Sequence, residues 1–264
     1  MIDNVLRYGS IALNFGVMLL MMIRSMRRIR RDAAALPALY LALAAASLLL
    51  SDVYWVAHLL LRHGDRIAPY AVNEISESGA FLLFGAALRA AFPEKPKRVG
   101  ALAAAAAVYA AVCAGLWIGW SGEWLKDIIS AVPFGYFICM ILRAQAASNA
   151  MSKREGRTLG ALAALLLCAE VVIFFLPGAA AAALDKFCYA LIFAVMGWLL
   201  VRSVCALRAG TDARRLLSHA FLLEAWSISG MYMCAEPLYY LAELGSTIGF
   251  VMILIAFERQ VRER

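Results

Sequence analysis

Long apolar runs alternate with short polar breaks along the whole chain. Nine runs cover roughly 4–26, 35–62, 68–91, 99–121, 124–147, 157–176, 180–206, 215–235 and 238–258. A helix that crosses a bilayer needs about 20 mainly apolar residues, and each run reaches that length. The breaks hold helix-ending residues: RHGDRIAP, FPEKPKR, GWSGEW, LPGAAA, RAGTDARR and CAEP. The pattern predicts an all-α fold, a polytopic transmembrane bundle of about nine spanning helices. It predicts one integral membrane domain over 1–264, with no soluble domain. The alternative of eight spans arises only at 212–258, where the eighth and ninth runs meet at Pro237 with almost no loop.

Composition agrees with this picture. The chain is 64% hydrophobic and only 16% charged. Soluble domains carry about 45–50% apolar and about 25% charged residues. The first run, YGSIALNFGVMLLMMI, is not patterned as a signal peptide, because Arg24, Arg27, Arg28, Arg30 and Arg31 follow it instead of preceding it. It reads as a retained membrane helix.

Charge sets an orientation. The formal net charge is +7, from 25 Lys and Arg against 18 Asp and Glu. With nine spans and the amino terminus outside, twenty of the 25 bases fall on inner segments. Only Arg7, Arg62, Arg66, Lys126 and Lys186 fall outside. Adding or removing one helix scrambles this alternation. The positive-inside rule therefore predicts the amino terminus out, the carboxyl terminus in, and a multi-pass protein of the plasma (inner) membrane. The basic loops are explained by topology and by contact with anionic lipid, so nucleic acid is not an expected partner.

A weak repeat accompanies the topology. Four inward-running helices pair an acid near the outer end with an arginine 15 to 17 residues later: Glu74 and Arg89, Asp127 and Arg143, Asp185 and Arg202, Glu243 and Arg259. A hairpin copied four times would give this pattern. So would the shared grammar of any helix that runs inward.

Depth separates ordinary acids from unusual ones. At about 1.5 Å per residue, Glu74 lies about 22 Å from Arg89, and Asp127, Asp185 and Glu243 lie about 24–26 Å from their arginines, near the outer headgroups. Glu77 is deeper, about 18 Å from Arg89; Glu170 is about 20 Å from Arg157, and Glu224 only about 14 Å from Arg215. Asp52 sits about 15 Å below Arg62. A charge at the bilayer centre costs about 2.5–3.5 kcal/mol even on lenient scales. No lysine or arginine lies at the depth of these four acids. They must therefore be protonated and hydrogen-bonded, or line a wet interior.

Helical spacing puts polar partners beside them. Glu74, Glu77, Ser78 and Phe81 share a stripe of the third helix, with Asn73 beside Glu77. Asp52 and Trp55 share a face of the second, with Tyr54 adjacent. Glu224, Ser227, Ile228 and Met231 share one on the eighth, flanked by Trp226 and Tyr232. Tyr239, Glu243, Ser246 and Thr247 share one on the ninth. Together these stripes predict an acidic, aromatic-lined cavity open to the outside. Tyr54, Trp55, Trp226 and Tyr232 are near enough to the deep acids to suggest a cation cage. Single acids of this kind are also often satisfied by a neighbouring serine and do nothing further.

Other chemistry finds little support. The six cysteines lie in apolar runs without a C-x-x-C pair and read as small buried hydrophobes. The three histidines lack metal-ligand spacing, so no metal or cofactor is expected. No nucleophile–base pair stands out, and the chain is not expected to be an enzyme. Pro133 interrupts the fifth helix and predicts a bend or hinge. The alanine-rich fourth helix predicts a tightly packed central helix or an oligomer seam.

Two functions fit. One is a small cation transporter or permease, inorganic or organic, with possible proton coupling. Its central pair would be Glu77 and Glu224, with Asp52 and Glu170 along the route. The other is a membrane sensor or partner subunit that binds a ligand in the outer cavity and signals through AFERQVRER, the charged exit of the last helix, to a cytoplasmic partner.

Overall fold

The computed structural model describes residues 2–31, 35–61, 72–94, 99–235 and 237–262. These form nine α-helices: α1 (Ile2–Arg31), α2 (Leu36–Leu61), α3 (Val72–Ala91), α4 (Val99–Ser121), α5 (Trp124–Ser148), α6 (Lys153–Ile173), α7 (Gly178–Arg208), α8 (Ala213–Met233) and α9 (Leu238–Arg262). No strand occurs among the described residues. The start of the third helix at 68, with Pro69, and the charged breaks at 62–71 and 95–98 lie outside them.

Seven helices are long and apolar enough to cross a membrane. The two that are not are α3 and α8. These are the helices that carry Glu74, Glu77 and Glu224. Apolar side chains such as Leu13, Val108, Val132 and Val201 stand exposed on the other helices, as a lipid-facing surface requires.

The helices group into two compact units. One is Ile11–Ala147; the other is Ser148–Arg264 together with Met1–Ser10. In the first unit, α2 packs along α3. Small residues line both helices: Ala38, Ala42, Ala44 and Ala45 are buried on α2, and Ala80, Ala87 and Ala91 on α3. Rings join α3 to α5, with Phe81 5.4 Å from Phe134 and 5.8 Å from Phe137. From α4, Trp117 and Tyr109 reach Phe134 at 5.8 and 6.1 Å. Pro133 sits one residue before this cluster, and α5 continues through it.

The second unit is built on α8. Residues 216–230 are buried without a break, and α8 packs against both α7 and α9. α8 is therefore the deeply packed helix, and α4 is not. On α4 only Ala106, Ala110, Cys113 and Leu116 are buried, a single stripe. Its alanines are small enough for close packing, but most of them face outward.

Helix ends follow local chemistry. α6 starts at Lys153, earlier than its apolar run, because Ser152 and Glu155 form a capping box. The Glu155 amide donates to Ser152 Oγ at 3.2 Å, and the Ser152 amide donates to Glu155 Oε2 at 2.8 Å. α7 ends at Arg208, and two residues on Gly210 takes a φ of +62°, open to glycine and strained for a branched side chain. α8 then starts at Asp212, which accepts the Arg214 amide at 3.0 Å.

Candidate functional site

Polar side chains pair within each unit, though not always those of the expected stripes. In the first, Ser51 of α2 donates to Glu77 Oε1 at 3.0 Å. Asp52, one residue on, points elsewhere and accepts from Asn14 of α1 at 3.4 Å. Glu74 lies 3.7 Å from Lys126 Nζ on α5. Asn73 and Ser78 are buried beside these acids. Trp55 stacks on His58 at 6.0 Å, and Tyr54 lies 6.4 Å from the same ring. This aromatic group is therefore built around a histidine that the cation-cage expectation leaves out.

The second unit holds Glu170, Glu224, Trp226, Tyr232 and Glu243. Glu224 is fully buried. Its Oε1 accepts from Ser246 Oγ of α9 at 2.7 Å. The eighth and ninth stripes thus meet as the spacing predicts. Glu243, one turn earlier on α9, accepts from Ser10 of α1 at 2.5 Å. Glu170 is buried on α6 and takes a hydrogen bond from the Cys188 thiol of α7, with Asp185 nearby. Trp226 is also buried, and its indole N–H donates to the Ile192 carbonyl at 3.0 Å. That bond fixes α8 to α7. Tyr232 is 45% exposed at the end of α8.

Sequence spacing missed the feature that brings α8 and α9 together. Gly245 and Gly249 stand four residues apart on α9. A Cβ on Gly249 would lie 2.6 Å from Glu224 Oε2 and 3.4 Å from the Glu224 Cα. One on Gly245 would lie 3.0 Å from Ser227 Oγ, and would also collide with Met196. Farther along, a Cβ on Gly230 of α8 would lie 3.3 Å from Ala242. Small residues at this spacing let two helix backbones approach closely. The signal is legible as G-S-T-I-G, residues 245–249, but spacing alone does not say which helix such a face meets.

The close approach leaves two oxygens unserved. Glu224 Oε2 and Ser227 Oγ, on residues with no exposed surface, have no hydrogen-bond partner among the described residues. Buried polar atoms normally find one, so such an exception calls for a cause. A second polar cluster lies within this unit. Arg202 Nη2 of α7 meets Glu155 Oε1 at 3.0 Å, and the buried ring of His219 stands near both.

All six cysteines are free thiols. Cys113, Cys188 and Cys234 are buried as expected, whereas Cys168 and Cys205 are exposed on their helices. Among the described residues, no three His, Cys, Asp or Glu side chains gather where they could hold a metal ion. Comparison with known protein families, with curated proteins and with solved structures gives no match to this chain.

Proposed function

We propose that this chain is a multi-pass membrane permease for a small cation, with Glu224 as its central carboxylate. The observation that carries this reading is the state of Glu224: fully buried, on a helix buried along most of its length, with one oxygen lacking a hydrogen-bond partner among the described residues. A group this costly to place in an apolar bundle marks function by default. Among the described residues Glu224 uses one of its two oxygens, as does the buried Glu170, and Glu224 alone of the two has no exposed surface.

The fuller form of the reading has nine spans, the amino terminus outside, the carboxyl terminus inside and a plasma (inner) membrane location. α3 and α8 are too polar to face lipid as lone helices, and packing among apolar neighbours lets such helices cross. Glu77, paired with Ser51, is the corresponding carboxylate of the first unit. Asp52 in the first unit and Glu170 in the second are the further candidate carboxylates, and a proton is the natural coupling ion because it competes with a cation for a carboxylate.

The test is cation and proton flux into sealed proteoliposomes. Wild-type flux should fall at least tenfold in Glu224→Gln and in Glu77→Gln, with both variants folded by circular dichroism and gel filtration. Undiminished flux in both variants overturns the assignment. Absence of flux for every inorganic and small organic cation, in a folded wild-type preparation, favours the sensor reading. One contact supports that alternative: Arg259 of α9 donates to the Leu207 carbonyl at 3.4 Å, linking the end of the Ser246 helix to α7.

A further inference from the structure

The seam between α8 and α9 brings three oxygen-bearing side chains into one apolar setting: a carboxylate on Glu224, and hydroxyls on Ser227 and Ser246. Glu224 and Ser227 are one turn apart on α8, and Ser246 crosses from α9 to bond Glu224 Oε1 at 2.7 Å. Among the described residues Glu224 Oε2 and Ser227 Oγ have no hydrogen-bond partner, and they do not bond each other. Both lie against α9 where Gly249 and Gly245 supply no side chain.

We propose that Glu224, Ser227 and Ser246 bind a dehydrated monovalent cation of sodium size in the α8–α9 seam. This rests on the reading of Glu224 as a cation-binding carboxylate, and adds the ion and its ligands.

Three considerations lead to the ion. Calcium, a hard cation close to sodium in size, takes oxygen ligands at about 2.3–2.6 Å, and an ion at that distance can hold two oxygens farther apart than a mutual hydrogen bond does. Two buried oxygens on adjacent turns that fail to bond each other suit a shared ion. A proton suits them less well. It would turn Oε2 into a donor that still lacks an acceptor, and would leave Ser227 unserved. Charge sets the valence: one carboxylate balances one positive charge, whereas divalent sites generally recruit several carboxylates. The glycines give the site its size. A Cβ on Gly249 would take the space beside Oε2, so the cradle exists only because α9 has none there.

The test is equilibrium binding of radioactive sodium to the purified full-length protein in detergent, where no gradient exists. Wild type should bind saturably, about one ion per chain, with lithium competing better than potassium. Ser227→Ala should weaken binding at least fivefold, and Glu224→Gln should abolish it. Sodium should raise the melting temperature of wild type and leave that of Glu224→Gln unchanged. Ser227→Ala removes a hydroxyl without creating a charge or a large void, so it keeps the test decisive if Glu224→Gln fails to fold. Absence of saturable sodium binding in folded wild type, or equal binding in wild type and Ser227→Ala, overturns the site. Failure of the two proposals is distinguishable. Sodium binding without flux in proteoliposomes removes the permease and leaves the site standing. Flux in sodium-free buffer, from protein that binds no sodium, removes the site alone.

Discussion

Ser246 shows what a single hydroxyl does in this fold. It supplies the one hydrogen bond made to Glu224 among the described residues, from a different helix. Interhelical hydrogen bonds in membranes average about 0.6 kcal/mol and reach about 1.7 kcal/mol. Leaving a buried acceptor unmet costs about 1–3 kcal/mol. Ser246→Ala should therefore destabilise the protein by about 1–2 kcal/mol, measured by denaturant unfolding in bicelles. Ser203→Ala is the control. Ser203 is just as buried but bonds only the Leu199 carbonyl of its own helix at 2.9 Å, so its loss should cost under about 0.5 kcal/mol. Equal effects would mean that the Glu224 bond contributes nothing special. The acids themselves were legible in the sequence, because a carboxylate in an apolar run stands out. Their partners were not. Ser51 and Asp52 are adjacent, and a turn of about 100° per residue decides which of them faces α3. Only packing sets that angle, and it chose Ser51. Packing likewise gave the Trp226 indole to a backbone carbonyl and Glu74 to Lys126.

At the scale of the element, hydrophobic length found all nine helices, because burying or solvating a backbone in lipid leaves few alternatives to helix. Ends moved where capping chemistry competed with hydropathy, as at Ser152. Which helix would be central was not legible. Alanine content left α4 as either a central helix or an oligomer seam, because close packing needs a complementary partner surface as well as small residues. α8 and α9 have one, with Gly245 and Gly249 set against Ser227 and Glu224. Gly249→Ala should either push α9 away or displace the Glu224 carboxylate, since the new Cβ would fall 2.6 Å from Oε2. Overpacking of this kind costs about 1–3 kcal/mol. Gly160→Ala on α6 is the matched control: nothing lies within 4 Å of its Cβ position, and an added methyl in a helix is neutral or mildly stabilising. A Gly249→Ala protein as stable as wild type would show that the two backbones do not approach this closely.

For the whole molecule, the decisive question is whether α3 and α8 cross the membrane. If both cross, the breaks at 121–123 and 174–178 lie outside, and those at 148–152 and 208–212 lie inside. If neither crosses, all four breaks change sides, although the carboxyl terminus stays inside. Carboxyl-terminal fusions therefore cannot separate seven spans from nine. Charge separates them. The seven-span arrangement would place Lys153, Arg154, Arg157, Arg202, Arg208, Arg214 and Arg215 on outer segments, against the positive-inside bias. The expected result is that Glu123→Cys, in a background with the six native cysteines replaced, reacts with an impermeant maleimide in intact cells. Ala209→Cys should react only after permeabilisation. The reverse pattern would make α3 and α8 interfacial or re-entrant. A re-entrant α8 would leave Glu224 buried among protein side chains but take it off any path across the membrane, and the permease reading would fall. The labelling pattern thus bears on the carboxylate as directly as on the span count.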